Sequence, residues 1–312
     1  MHAEGLNCAV GVRRRVRIIA YWAAGCLLFF GCNISPTAKP GDNRLRVFAG
    51  IPPAAYLAER IGGERVSVGV LLPPGREPHT FQPTPQQVLK LHQAAVFLKM
   101  GLPFEDVLAA KIAKHGRGPL VVDITEGVEK RRLDQAGDDH HPVEEESAAA
   151  IDPHVWLAPP LLKKLAESVT EAFCRIDSPH AGEYRRNQAA LLKDIDMVHR
   201  RVEQKLAPYR GRTFYVYHPG FGYFADAYGL KEAAIQVGGR SPTPQQLRAL
   251  VEQAQKEGVK TIFIQPRFDA HHVRSVAEAV GGRVVLLDGL KHDVPAEIEE
   301  IATKLEEAFR EP

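Results

Sequence analysis

Three histidines and one aspartate stand in short, stiff motifs spread along the chain. His79 lies in Pro74-Gly75-Arg76-Glu77-Pro78-His79-Thr80-Phe81-Gln82-Pro83-Thr84-Pro85, after the apolar run Val66 to Leu72. Prolines and a glycine restrict that backbone, so the imidazole is aimed rather than left to wander. His154 lies in Ile151-Asp152-Pro153-His154-Val155-Trp156-Leu157, again directly after a proline, with an indole that can wall it from water. His218 follows Thr213-Phe214-Tyr215-Val216-Tyr217 and precedes Pro219-Gly220-Phe221-Gly222-Tyr223-Phe224. Asp288 follows Val284-Val285-Leu286-Leu287 and precedes Gly289-Leu290. Taken singly, each has a structural role open to it: a solvated turn histidine, a ring donating to a carbonyl, an aspartate capping a helix. Taken together, three imidazoles and a carboxylate would close a tetrahedral site of borderline softness, a donor set that suits Zn²⁺ best. The separations of 75, 64 and 70 residues exclude a local finger motif. Tertiary structure has to assemble such a site, two donors from each half of the chain. Glu77 is an alternative donor, or the base that a zinc hydrolase would need. Against hydrolysis, four protein donors leave no open position for water, and no HExxH motif occurs.

The elements that would position these residues are short apolar runs separated by helical patterns. Strands are predicted at Leu45–Phe48, Val66–Leu72, Ala95–Leu98 and Leu120–Val122, and again at Thr213–Tyr217, Ala233–Ile235, Thr261–Ile264 and Val284–Leu287. Such runs point to an α/β fold of two lobes, each a parallel sheet flanked by helices. His218 and Asp288 then fall just past the C-terminal ends of strands, the edge at which open α/β sheets bind ligands. Pro83-Thr84-Pro85-Gln86-Gln87 recurs as Pro242-Thr243-Pro244-Gln245-Gln246, with Thr placed to cap a helix and Pro at its first position. The stretch Pro179 to Leu206 holds no internal glycine or proline apart from Gly182 near its start, and Leu191, Ile195, Val198, Val202 and Leu206 share one face. A helix of that length reaches roughly 40 Å, enough to run along both lobes and hold them rigidly. The expected organisation is therefore a leader (residues 1–31), a tether (32–43), a first lobe (44–177), a linking helix (178–208) and a second lobe (209–312).

The leader has Arg13, Arg14, Arg15 and Arg17 before the apolar run Ile18 to Phe30, which is shorter than the ~20 residues of a membrane span. Gly31-Cys32 follows, resembling a bacterial lipoprotein signal with Cys32 as the acylated residue. That reading makes the protein exported, periplasmic or on the outer face of the membrane. Of 40 Lys and Arg and 38 Asp and Glu, removal of residues 1–31 leaves 36 against 37, a net charge of −1. The basic character belongs to the leader, and nothing suggests a nucleic-acid surface. Cys174 would be the one thiol left beside Cys32, so no disulfide and no cysteine metal site is expected. The acidic segment Asp134 to Ser147 carries His140 and His141. It is too polar to build a core and reads as a surface loop, with weak metal capture as its functional alternative.

At this point the motifs carry a resemblance. Pro78-His79-Thr80-Phe81 with Pro83-Thr84-Pro85, Asp152-Pro153-His154-Val155-Trp156, Tyr217-His218 with Phe221-Gly222-Tyr223-Phe224, and Leu287-Asp288-Gly289-Leu290 resemble, in order and spacing, the ligand motifs of the metal-binding solute-binding proteins of ABC importers, the zinc and manganese group typified by ZnuA and TroA. The resemblance spans residues 44–310. It implies His79, His154, His218 and Asp288 as ligands at a lobe interface, a monomeric receptor with no enzymatic activity, and an ABC permease with its ATPase as partners. Histidine at 218, where manganese members commonly have Glu, favours Zn²⁺ over Mn²⁺. Departures are Gly289 in place of a common Pro, Gln265-Pro266 in place of a common Glu-Pro, and only two adjacent histidines in the acidic loop. An adhesin is the remaining class, for which the sequence offers no repeat or exposed aromatic stripe.

Overall fold

The apolar runs form parallel strands. The computed structural model describes residues 43–133, 151–236, 242–269 and 271–311. In it β1 (Leu45–Ala49), β2 (Val66–Val70), β3 (Val96–Lys99) and β4 (Leu120–Asp123) make one sheet, ordered β2-β1-β3-β4. A second sheet, ordered β6-β5-β7-β8, is made by β5 (Thr213–Val216), β6 (Lys231–Ala234), β7 (Thr261–Ile264) and β8 (Arg283–Leu286). All pairings are parallel. The central strands read as unbroken apolar runs because helices cover both faces: Val96, Phe97 and Leu98 are fully buried, as are Ile262 and Ile264. In each sheet the chain leaves the first strand in one direction and returns on its other side. The switch points therefore lie at the C-terminal ends of β1 and β3, and of β5 and β7.

The helices are α1 (Pro52–Gly62), α2 (Pro85–His92), α3 (Pro103–His115), α4 (Pro159–Ile176), α5 (Ala181–Leu206), α6 (Gly222–Tyr228), α7 (Pro244–Lys256), α8 (His271–Ala279) and α9 (Val294–Arg310). The internal repeat opens α2 and α7 in the same way. Thr84 and Thr243 each accept from the backbone N–H three residues on, while Gln87 and Gln246 reach back to the capping N–H, a reciprocal box at both helix starts.

The long helix exists as expected. Its stripe Leu191, Ile195, Val198, Val202 and Leu206 is buried, each such side chain contributing about 1.5–3 kcal/mol. That face packs against α1 and α4 beside the first sheet and against α6 and α9 beside the second. One apolar core runs from Val47 in β1 through Phe173 and Leu206 to Phe309, touching both sheets. A smaller cluster, with Tyr215, Ile262, Ile264, Ala254 and Val273, sits under α7 and α8. Because the larger core is continuous, the two sheets are joined by packed side chains and not by a hinge of bare backbone.

Two strand boundaries differ from expectation by two residues, the others by one at most. β6 covers Lys231–Ala234 rather than Ala233–Ile235, and β2 stops at Val70. Lys231 is exposed and only Ala234 in β6 is buried, as at a sheet edge, where apolarity is a weak guide. Among the described residues no helix is long and apolar enough to cross a membrane.

Candidate metal centre

The loops that leave the C-terminal ends of the strands converge. His79 stands on the loop after β2, His154 on the segment leading to α4, and His218 immediately after β5. Their rings form a triangle, with centroids 5.0 Å apart for His79 and His218, 5.5 Å for His79 and His154, and 5.7 Å for His154 and His218. One nitrogen from each lies within 4.8 Å of the others, and this is the one such group among the described residues. Between them is a cavity of about 10 Å³, room for a single ion or water, also lined by Gly220, Gln265 and Arg267.

The rings of His154 and His218 are each oriented by their second nitrogen. Asp152 Oδ1 accepts from His154 N at 2.9 Å and lies 2.7 Å from His154 Nδ1, so the proton sits on Nδ1 and Nε2 faces the cavity. Pro153 makes this turn possible by holding the chain between acid and ring. Gln236 Oε1 takes His218 Nδ1 at 2.8 Å. Gln265 grips the His218 backbone, Nε2 donating to the carbonyl at 2.7 Å. Glu232 on β6 accepts from Gly220 N and Phe221 N at 2.9 and 2.8 Å, fixing the turn after His218. A Cβ on Gly220 would lie 3.3 Å from His154 Nε2, so only glycine leaves that nitrogen uncovered.

The electrostatics favour a cation held by neutral nitrogens. His79 Nε2 and His218 Nε2 are buried with no hydrogen-bond partner among the described residues. Burial, reinforced by the neighbouring His154, pushes His79 down to about 4, and burial with His154 and His79 pushes His218 down to about 3. Both rings are thus neutral at pH 7, with lone pairs free for a metal and no proton to displace. Burial would raise Asp152, but the bonds from His154 outweigh it and hold the carboxyl below its usual range. Asp152 is an anion behind a ligand-like imidazole. Asp152→Asn is expected to lower the affinity for a metal ion about ten- to hundredfold, read by competition against a chelator. Unchanged affinity would mean that the carboxylate does not tune the ring.

Asp288 stands apart from the imidazole group. Its Oδ1 is taken by Arg267 Nη1 at 3.1 Å, by Gly289 N at 2.8 Å and by Leu290 N at 3.2 Å. Glu77 lines the cavity, with Oε2 accepting from Thr80 N and Thr80 Oγ1. Trp156, fully buried, donates from Nε1 to Gly289 O at 2.7 Å, tying the His154 segment to the Asp288 loop. Sequence reasoning had no marker for Gln236, Glu232 or Arg267 as neighbours of the site. The one available hint was that Gln236 and Arg267, like His218 and Asp288, fall just past strand ends. His140, His141 and Cys32 lie outside the described residues, as do the acidic loop and the leader.

With the geometry established, comparison with known proteins is informative. The family described as ZnuA, zinc-uptake complex component A, periplasmic, matches residues 47–307. The manganese-binding lipoprotein MntA of Bacillus subtilis (strain 168) is 27% identical over 266 residues, covering 83% of this chain and 84% of that protein. The high-affinity zinc uptake system protein ZnuA of the same organism is 27% identical over 284 residues, covering 86% of each. A crystal structure of ZnuA superposes with a TM-score of 0.77 at 30% identity, covering 85% of this chain and 99% of that one.

Proposed function

The chain belongs to the ZnuA family, and from that premise we propose that it is the zinc receptor of an ABC-type metal importer. It is a metal-binding receptor and not an enzyme, in keeping with its relatives. The observation that carries zinc capture is the pair of buried, unpartnered Nε2 atoms of His79 and His218, facing His154 across a cavity the size of one ion. An unpaired buried polar atom costs free energy. A bound cation removes that cost at both nitrogens at once.

His79, His154 and His218 are the donors in this reading; Asp288, expected from the sequence as the fourth, lies instead with Arg267 and two backbone N–H groups. Imidazole donors suit Zn²⁺, and Mn²⁺ depends more on oxygen anions. The relatives are named for both metals, which makes a manganese receptor of the same kind the second reading. The cargo would pass to a membrane permease driven by its ATPase. Cys32 would carry the lipid, as the word lipoprotein in one relative's name suggests.

The test is titration of metal-free protein with Zn²⁺ and Mn²⁺, separately and in competition. One Zn²⁺ per chain is expected, outcompeting Mn²⁺, with a rise in melting temperature. At free zinc a thousand times Kd the fold gains about 4 kcal/mol by mass action. Tighter binding of Mn²⁺ would replace zinc by manganese in the proposal, and absence of binding of either would end it.

A further inference from the structure

We propose that Arg267 sets the metal preference of this site by keeping the Asp288 carboxylate as its own counter-ion, so that the cargo is held by the tripod of imidazoles. The inference rests on the reading of His79, His154 and His218 as donors, and goes beyond it by naming the residue that selects among ions.

Arg267 follows β7 and lines the same cavity as the three rings. Its side chain is 10% exposed and that of Asp288 24%, with Nη1 and Oδ1 3.1 Å apart. Breaking this part-buried pair leaves the less exposed partner, the guanidinium, without its counter-ion, an unfavourable change. Other acids offer little replacement. Glu77 Oε2 is engaged by Thr80. Glu297, on which the guanidinium also acts, is pushed up to about 8 by burial and by Asp288, and is uncharged at neutral pH. Asp288 Oδ1 meanwhile accepts from two backbone N–H groups besides the guanidinium. The carboxylate is therefore held by its own loop and by a fixed cation.

The charge of the site follows. The Arg267–Asp288 pair adds no net charge beside the cavity, whereas Asp288 without Arg267 would add one negative charge there. Removing a carboxylate from the donor set penalises a hard ion such as Mn²⁺, last in the affinity series for such sites, more than borderline-soft Zn²⁺. The guanidinium also adds a positive charge beside the cavity. That charge opposes any cation, and the one that binds imidazole most strongly suffers least.

Arg267→Gln is expected to free the carboxylate, raise Mn²⁺ affinity by about tenfold or more and leave Zn²⁺ less changed, so that the zinc-to-manganese ratio falls about tenfold. Arg267→Lys keeps the charge and is expected to keep the parent preference. Coordination is read directly from the visible spectrum of Co²⁺-loaded protein. Parent and Asp288→Asn should share one spectrum; Arg267→Gln should differ from both, and the Arg267→Gln/Asp288→Asn double variant should revert. A spectral change on Asp288→Asn in the parent would overturn the proposal, because the carboxylate would then be a ligand despite Arg267. So would an Arg267→Gln protein with unchanged spectrum and unchanged metal ratio. Failure of the tripod reading has a different signature: His79→Ala would bind Co²⁺ and Zn²⁺ as the parent does.

Discussion

His218→Ala is expected to lower zinc affinity by two to three orders of magnitude, with His79→Ala close behind. Four-donor zinc sites bind with apparent free energies of about 10–16 kcal/mol, so one donor is worth about 2.5–4 kcal/mol, and each 1.4 kcal/mol is a factor of ten. Water can fill the vacated position, but it is a poorer donor than an imidazole lone pair kept neutral by burial. The metal-free protein separates this role from an ordinary structural one. A histidine kept for its hydrogen bonds would destabilise the fold when lost. His79 holds a buried Nε2 without a partner among the described residues, so His79→Ala is expected to leave the metal-free melting temperature unchanged or higher, whereas His218→Ala also loses the bond to Gln236 and should lower it modestly. The zinc-induced rise should vanish. Isothermal titration of the two variants, with melting curves with and without zinc, gives both readings. Zinc binding at parental strength in both variants would sink the receptor proposal.

Much of the scaffold was legible because its signals are local. Parallel strands buried on both faces are apolar throughout, and β1, β3, β4 and β7 start within a residue of where their runs predict. The long helix declares itself by a stripe at three- and four-residue steps, and the Thr-Pro-Gln-Gln repeat marks two helix starts by capping chemistry. β6 was legible only in part, since an edge strand beginning Lys231-Glu232 has little apolar pattern. Glu232 has its own task there, holding the backbone after His218.

The three imidazoles were legible for a different reason: proline or a strand end fixes each one, and rigidity is written in sequence. Their partners were not. Gln236 reaches His218 across 18 residues and Arg267 reaches Asp288 across 21. Nothing in either local sequence says which polar atom a side chain will meet, because the meeting follows from sheet order. Asp288 shows the consequence. Its placement after a strand was readable, yet in the fold its carboxylate lies with a guanidinium and two backbone N–H groups, outside the imidazole group.

Beneath the His79 loop lies a buried acid whose replacement is expected to stabilise the fold at alkaline pH. Glu105 in α3 is fully buried. Its Oε2 accepts from Met100 N at 2.8 Å and Leu102 N at 2.9 Å. Its Oε1 is without a partner among the described residues and fills the place of a Cβ at Gly50, so only glycine fits there. Its neighbour Phe104 stacks edge-on against Phe81, two residues past His79, at 5.0 Å. Burial raises Glu105 from 4.5 to about 7, the two backbone bonds opposing it. Below pH 4.5 the group is protonated in both folded and unfolded chains, and its contribution to stability is fully present. Between pH 4.5 and 7 the unfolded chain ionises while the fold still holds the proton, so stability falls as pH rises, by on the order of 3 kcal/mol once above 7. Glu105→Gln removes this term: its amide oxygen can accept both N–H bonds and it never ionises. Glu232 and Glu297 titrate alike in both proteins and cancel. The variant minus parent difference in melting temperature should therefore grow between pH 4.5 and pH 8, by roughly 6–12 °C at about 2–4 °C per kcal/mol, with zinc affinity retained. A difference that stays constant across that range would show that Glu105 is already ionised in the fold, with the Met100 and Leu102 N–H groups compensating its burial.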